Sequence, residues 1–271
     1  MSAISGARYL MGRYLLRRRF LDARVPELDA VLRVRSSDVA GRHLFKYGRY
    51  EVEWMRFLLE WLPSRSGGDE RAAVLDVGAN LGFYSVLAHR TAGPAVTIHA
   101  FEPDPDNFAL LRHNVAHNAD ERIRTIRSAV SDEVGSRTLY RYPAKNLGKH
   151  SFTPFGDEDG EQVEVPTTTL DRWWQERNPA AERVLLLKID VEGHEPAALR
   201  GAPEVLARTD AVLIEFHPGL ARRCGTPEGA ALQLLASAGF APHELRDGEL
   251  RRTDVAAILA DRTPRNVLFT R

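Results

Sequence analysis

The sequence predicts an α/β fold: a doubly wound, seven-stranded, mostly parallel sheet with an N-terminal helical appendage. Two observations carry this. From Ala73 onward, short runs rich in Val, Leu and Ile alternate with helix-patterned stretches. Those runs are apolar almost without interruption, as strands covered on both faces must be. Length and composition agree: 271 residues, 44% hydrophobic and 27% charged, suit one large domain with an appendage. No apolar run approaches the ~20 residues of a membrane span.

Residues 1–70 read as the appendage and residues 71–271 as the main domain. Near the start, Arg8, Arg13, Arg17, Arg18 and Arg19 occur without an acid, among Tyr9, Leu10, Met11, Tyr14, Leu15, Leu16 and Phe20. At about 100° per residue the apolar positions spread around most of a helical wheel. The favoured reading is therefore a helical arm packed on its own domain or on a partner subunit. A weak contact with an anionic membrane through residues 8–19 is the alternative. Arg13 interrupts the apolar stretch, so the segment does not read as a secretory signal. Ala30–Tyr50 alternates and carries Gly41 and Gly48, which predicts a short hairpin. Glu51–Leu62 predicts a helix ended by Pro63, and the polar Ser64–Arg71 a linker.

In the main domain, strands are expected at Ala73–Val77, Ala95–Phe101, Ile123–Ser128, Val184–Val191, Ala211–Phe216 and Asn266–Thr270, the last antiparallel as a hairpin. Helices are expected at Gly82–Thr91, Pro105–Asn118, Glu195–Leu206 and Pro227–Ala238. Two extended pieces, Arg137–Tyr142 and Gln162–Thr168, interrupt the alternation and flank a polar loop with Asn146, Gly148 and Ser151. Lys plus Arg (37) equals Asp plus Glu (37), so no global field argues for nucleic acid. A single cysteine, Cys224, excludes an internal disulfide framework and a Cys-rich zinc module, and suits a reducing cytosol.

The first chemical motif is Asp76-Val77-Gly78-Ala79-Asn80-Leu81-Gly82-Phe83, running strand, turn, helix. Gly78 permits a sharp turn, and Gly82 and Phe83 open a helix whose free N–H groups face a ligand. The spacing is Asp-x-Gly-x-x-x-Gly, not the Gly-x-Gly-x-x-Gly of nicotinamide binding. A carboxylate at Asp76 repels a pyrophosphate but attracts an ammonium or sulfonium. About 20 residues on, Glu102 ends the second strand, where an acid accepts from the ribose hydroxyls of an adenosine. Asp104 and Asp106 read as the cap and first-turn acids of the next helix. The third strand leads to Ala129 and Val130, small enough for an adenine to lie against the backbone. Together these strand ends describe a pocket for S-adenosylmethionine, with Asp76, Gly78, Asn80 and Gly82 on its methionine part.

The second motif is Lys188-Ile189-Asp190-Val191-Glu192-Gly193-His194-Glu195, which follows a buried strand to the edge where open sheets bind ligands. The next strand brings Glu215 and His217 to the same edge. Glu195 reads as the opener of its helix, and Lys188 as the partner of a carboxylate. Asp190, Glu192, His194 and His217 are the candidate catalytic residues, Asp190 serving the donor as well. A histidine near its ordinary pKa of about 6.5 can accept a hydroxyl proton, with Asp190 orienting it. Asp190, Glu215 and His217 also have the chemistry of a divalent cation site, but no ligand spacing supports one, so no metal is expected.

These stretches resemble the FkbM-type methyltransferases: Leu75–Ser85, Phe101–Pro105, Ala129–Asp132, Val165–Asp171, Leu187–Glu195 and Ile214–His217 match in order and spacing. The glycine motif is general to methyltransferases; Thr-Leu-Asp followed by Lys-Ile-Asp-Val-Glu-Gly is particular to this family. The resemblance covers roughly residues 30–271 and leaves Met1–Asp29 outside. It implies the Rossmann-like class I methyltransferase fold, S-adenosylmethionine as donor, and O-methylation of a sugar, glycan or other natural product. The alternatives are a nicotinamide oxidoreductase, which the glycine spacing disfavours, and an inactive methyltransferase-like binding module, which the undegraded Lys188–Glu195 disfavours.

Overall fold

The computed structural model describes residues 2–67, 71–141, 150–154, 160–177 and 183–271. Asn146, Gly148 and Tyr142 of the expected interruption lie outside them. In chain order the strands are β1 (Phe20–Val25), β2 (Ala30–Arg35), β3 (Ala72–Val77), β4 (Val96–Phe101), β5 (Ile123–Ile126), β6 (Ala129–Val130), β7 (Gly135–Tyr140), β8 (Gln162–Thr168), β9 (Arg183–Ile189), β10 (Ala211–Phe216), β11 (Ala241–Arg246), β12 (Glu249–Arg252) and β13 (Arg265–Thr270). The helices are α1 (Ser2–Leu10), α2 (Val39–Tyr47), α3 (Val52–Arg65), α4 (Phe83–Thr91), α5 (Pro105–Asn118), α6 (Leu170–Arg177), α7 (Glu195–Arg200), α8 (Pro203–Ala207), α9 (Pro218–Arg223), α10 (Ala230–Ser237) and α11 (Val255–Asp261).

The fold is α/β around a large, mostly parallel sheet in the order β12-β11-β13-β10-β9-β3-β4-β5. From β5 to β10 all neighbours are parallel, and β13 runs antiparallel to both β10 and β11. Among the described residues the sheet has eight strands rather than the expected seven. The additional one, β12, pairs with β11 through Asp247 and Gly248. Both residues have positive φ (53° and 82°), the conformation of a two-residue hairpin turn that an Asp-Gly pair favours. The last strand is antiparallel as expected, but β12 and α11 separate it from β11.

Alternate residues of β10 feed two cores. Ala211 and Leu213 of β10 join the core under α3, α4 and α5, while Val212, Ile214 and Phe216 join the one under α6, α7, α10 and α11. The first core also takes in Tyr9, Leu32, Leu44 and Leu58, so packing is continuous across the boundary expected at residue 70.

Within residues 1–70 the expected hairpin shifts. It is Phe20–Arg35, folded through Pro26–Leu28, and the stretch after it is α2. The reason is Asp38, whose carboxylate accepts from Gly41 N at 2.8 Å and caps a helix that Gly48 then ends at φ 64°. Pro63 does not stop α3, which runs on to Arg65. Ser64 Oγ donates to Trp61 O at 2.7 Å and Ser66 Oγ to Leu62 O at 2.8 Å, so carbonyls near the helix end find partners. Conversely, the single helix expected at Glu195–Leu206 divides into α7 and α8, because Pro203 fits the first turn of a helix and not its interior.

A smaller sheet, ordered β6-β8-β7, shares a cavity lining with the carboxyl ends of β3, β4 and β9. Its β7 and β8 are the two expected extended pieces.

Candidate active site

The site forms where β3, β4 and β9 end. Gly78 turns the chain at φ 78°, and its N–H donates to Phe101 O at 3.0 Å. A Cβ at Gly78 would lie 1.9 Å from Asp190 O, so only glycine lets the β3 turn and the end of β9 approach this closely. Asn80, also left-handed at φ 51°, directs its N–H to Glu102 Oε2 at 2.8 Å. The other oxygen of Glu102 accepts from Asp104 N at 3.0 Å. Glu102 therefore ties the two loops together from the tip of β4, and burial pushes its pKa up to about 8. Asp104 caps α5 as expected, accepting from Asp106 N and Asn107 N.

Two cavities meet at this turn. The larger, of about 640 Å³, is bounded by Gly78, Asn80, Glu102, Ala129, Val130 and Asp190, with Glu192 at its rim. Six of the nine expected donor residues thus face one space. Leu139, His150 and Phe152 close it from the smaller sheet and the segment beyond. The second cavity, of about 450 Å³, shares Gly78, Asn80 and Asp190 with the first and is walled by Tyr50, Phe83, Tyr84 and Lys188. Phe83, another expected donor residue, lies here.

Asp76 and Gly82 line neither cavity. Gly82 caps α4, and a Cβ there would lie 2.7 Å from Leu111. Asp76 is 1% exposed; it accepts from Ser85 Oγ at 2.6 Å and faces Lys188 Nζ at 3.5 Å. The sequence reading places Asp76 on a cationic donor; here it lies inside a fully buried strand and its counter-charge is a lysine. Lys188 Nζ also lies 3.6 Å from Asp190 and donates to Gly78 O at 2.9 Å. Burial alone would lower the pKa of Lys188, but Asp190, Asp76 and Glu51 outweigh it and raise it.

The acids and histidines after β9 and β10 separate into two groups. Carboxylate oxygens of Asp190, Glu192 and Glu215 lie within 4.8 Å of one another. Burial, then Asp190 and Glu192, pushes the pKa of Glu215 up to about 9. Three such oxygens are able to share a proton or face a divalent cation; His217 is not among them. Glu195 opens α7 as expected, its Oε1 accepting from Val191 N and Gly193 N, each at 3.1 Å. His194 and His217 line neither cavity. His194 Nε2 lies 3.0 Å from Ser131 Oγ, its ring meets Phe152 at 4.8 Å, and burial lowers its pKa to about 4. His217 caps α9, its Nδ1 accepting from Leu220 N at 3.3 Å.

Sequence reasoning missed the wall supplied by residues 1–70. Glu51 accepts from Tyr84 Oη and from Asn266 Nδ2, the latter at 2.8 Å, and burial raises its pKa. Tyr50, beside it, packs edge-on against Phe83 at 5.6 Å. No spacing marks Tyr50 or Glu51 in the sequence; their partners are more than 30 residues away. His150 was also missed. Its Nε2 stands 4.0 Å from Asp104 Oδ2, and burial lowers its pKa.

Residues 76–242 match the family model for the methyltransferase FkbM domain. The 31-O-demethyl-FK506 methyltransferase FkbM of Streptomyces tacrolimicus is 32% identical over 219 residues, covering 70% of this chain and 80% of that protein. The hexuronic acid methyltransferase AglP of Haloferax volcanii is 28% identical over 181 residues, covering 64% of each. Among solved structures, the methyltransferase FkbM of Methylobacillus flagellatus aligns with a TM-score of 0.46 at 13% identity, over 97% of this chain and 59% of that one. A strand-turn-helix glycine motif, an acid at the tip of β4 and a family match across most of the parallel sheet lead to one assignment: the chain belongs to the FkbM methyltransferase family.

Proposed function

We propose that this methyltransferase uses S-adenosylmethionine to methylate a hydroxyl group of a sugar, glycan or other natural product. The observation that carries the donor assignment is Glu102, buried at the tip of β4, with one oxygen held by Asn80 N and the other by Asp104 N, at the wall of the 640 Å³ cavity. The residues present fit the group. A carboxylate so held keeps lone pairs for ribose hydroxyls, and Ala129 and Val130 offer an apolar surface to an adenine. Gly78, Asn80 and Asp190 would border the methionine part, with Asp190 the acid in place of Asp76. When bound, the donor supplies an electrophilic methyl group on a positively charged sulfur.

The chain's own tasks are alignment and proton removal. The acceptor hydroxyl gives up a proton as its oxygen gains the methyl group. Asp190 and Glu192, which line the larger cavity, are our candidates to receive it, with Glu215 beside them. Three carboxylates this close do not all ionise together, which raises the basicity of the set above that of an isolated acid. Buried His194, held by Ser131, is less suited to the role than the sequence suggested. The single thiol, Cys224, is compatible with a cytosolic setting. The named relatives, one acting on 31-O-demethyl-FK506 and one on a hexuronic acid, support a hydroxyl-bearing acceptor.

Titration calorimetry with S-adenosylmethionine, S-adenosylhomocysteine and NAD tests the donor, and turnover against hydroxylated acceptors tests the reaction. Binding of both sulfur compounds and not NAD, with methylated product from a hydroxyl acceptor, is the expected result. NAD binding, or donor binding with no turnover on any acceptor, would favour the oxidoreductase or the inactive module instead.

A further inference from the structure

Among the described residues, nine large apolar side chains are exposed, and six of them lie between Leu10 and Phe20. Leu15 is 76% exposed and Tyr14 65%. This concentration arises from the way the arm is anchored. Tyr9 is buried, donates from its hydroxyl to Ser36 O at 2.6 Å and packs on Phe45 of α2. Gly12 is buried against Leu21, where a Cβ would come within 2.8 Å. One side of α1 and the π-helical turn Met11–Leu15 is thereby fixed to the protein, and Leu10, Met11, Tyr14 and Leu15 stand away from it.

Charge decides what this surface fits. Residues 1–20 hold five arginines and no acid, and Arg17, Arg18 and Arg19 follow the apolar residues directly. A second copy packed symmetrically on this patch would bring the same arginines together and be repelled. An anionic bilayer satisfies both features: the apolar side chains enter the acyl boundary while the guanidinium groups meet lipid phosphates. We infer that residues 10–20 form an interfacial attachment site for anionic membrane. The site is independent of the donor assignment. It reaches the catalytic region through α2, which meets Tyr9 at Phe45 and borders the second cavity at Ala40 and Leu44.

Co-sedimentation of the full chain with vesicles tests it, comparing phosphatidylcholine alone with phosphatidylcholine containing phosphatidylglycerol. Binding is expected only with the anionic lipid and is expected to weaken as salt is raised. Leu15→Glu should reduce binding at least tenfold, and Arg17→Gln and Arg18→Gln about fivefold each. All three variants should keep the circular dichroism spectrum and thermal melting temperature of the parent protein, which shows that they remain folded. No binding to anionic vesicles, equal binding to neutral ones, or binding indifferent to all three substitutions would overturn the inference. So would self-association through the patch in ultracentrifugation that Leu15→Glu abolishes while vesicle binding is absent.

Discussion

Ser131 and His194 share a hydrogen-bond contact of 3.0 Å between hydroxyl and imidazole, joining the end of β6 to the turn before α7. The contact links the smaller sheet to the main one and gives the buried imidazole a hydroxyl partner.

Its pH dependence is checkable. His194 takes up a proton near pH 6.5 in an unfolded chain but only near pH 4 in the folded protein. Between those values the unfolded state holds more protons, so the stabilisation from neutral His194 is complete above the upper value and lost on acidification. Across this window acidification should cost roughly 1–3 kcal/mol less free energy of urea unfolding in His194→Asn than in the parent protein. The buried acids Glu102, Glu195 and Glu215, whose pKa values are raised, shift both proteins in the opposite sense. His99, whose pKa burial also lowers to about 4, should leave a residual slope. Equal slopes in the two proteins would show that His194 is not the group responsible.

Asp76 and Glu102 should separate when mutated. Glu102→Gln is expected to weaken S-adenosylhomocysteine binding by about 1.5–3 kcal/mol with the fold retained. Asp76→Asn should instead lower stability by about 3 kcal/mol, since it strips a buried lysine of one counter-charge. Adding Lys188→Met should recover a large part of that loss. A double-mutant cycle by chemical denaturation, beside calorimetric titration, measures both.

The acid cluster predicts a rate that climbs with pH. The folded pKa of Glu215, about 9, means that the cluster still carries a shared proton at neutrality. Turnover should therefore rise from pH 7 toward 9, and Glu215→Gln should flatten that rise and lower the rate about 10²–10⁴-fold. A profile that levels off in the histidine range would return the role to His194 or His217.

Activity should also survive prolonged EDTA treatment. Loss of turnover restored specifically by magnesium or manganese would instead make Asp190, Glu192 and Glu215 a coordination site.

The strands and turns of the site were legible because each is set by its neighbours in sequence. An apolar run makes a buried strand, Gly78 a sharp turn and Asp104 a helix cap. The family was legible for the same reason. Side-chain direction was less so. Whether Asp76 faced ligand or lysine depended on Lys188, 112 positions further along the chain. The histidines looked basic because a sequence carries no burial. Tyr50 and Glu51 could not be found, since their roles exist only once Tyr84 and Asn266 are folded against them. The Asp-Gly turn of the β11–β12 hairpin was a visible signal that went unused.

Asparagines on α5 offer a stability test of the same long-range kind. Asn114 Oδ1 accepts from Arg33 N at 2.7 Å and its Nδ2 donates to Arg33 O at 3.1 Å, while Asn118 makes the matching pair with Val31 at 2.9 and 2.8 Å. Two amides one helical turn apart thus stand in for a neighbouring strand along β2. Asn114→Ala should cost about 2–3 kcal/mol in denaturation, because it leaves buried backbone groups without partners. A change below 0.5 kcal/mol, the size usual for a surface site, would mean that water replaces the amide.

The position of β13 bears on the order in which the molecule is made. It is the last strand in sequence, yet it lies between β10 and β11. While the ribosome is still translating the segment before it, β11 and β12 have no sheet to join, and β10 presents an open edge. An open apolar edge is the surface on which nascent chains pair wrongly. Completion of the sheet on that side therefore waits for Arg265–Thr270, and chaperone demand during synthesis should be concentrated there.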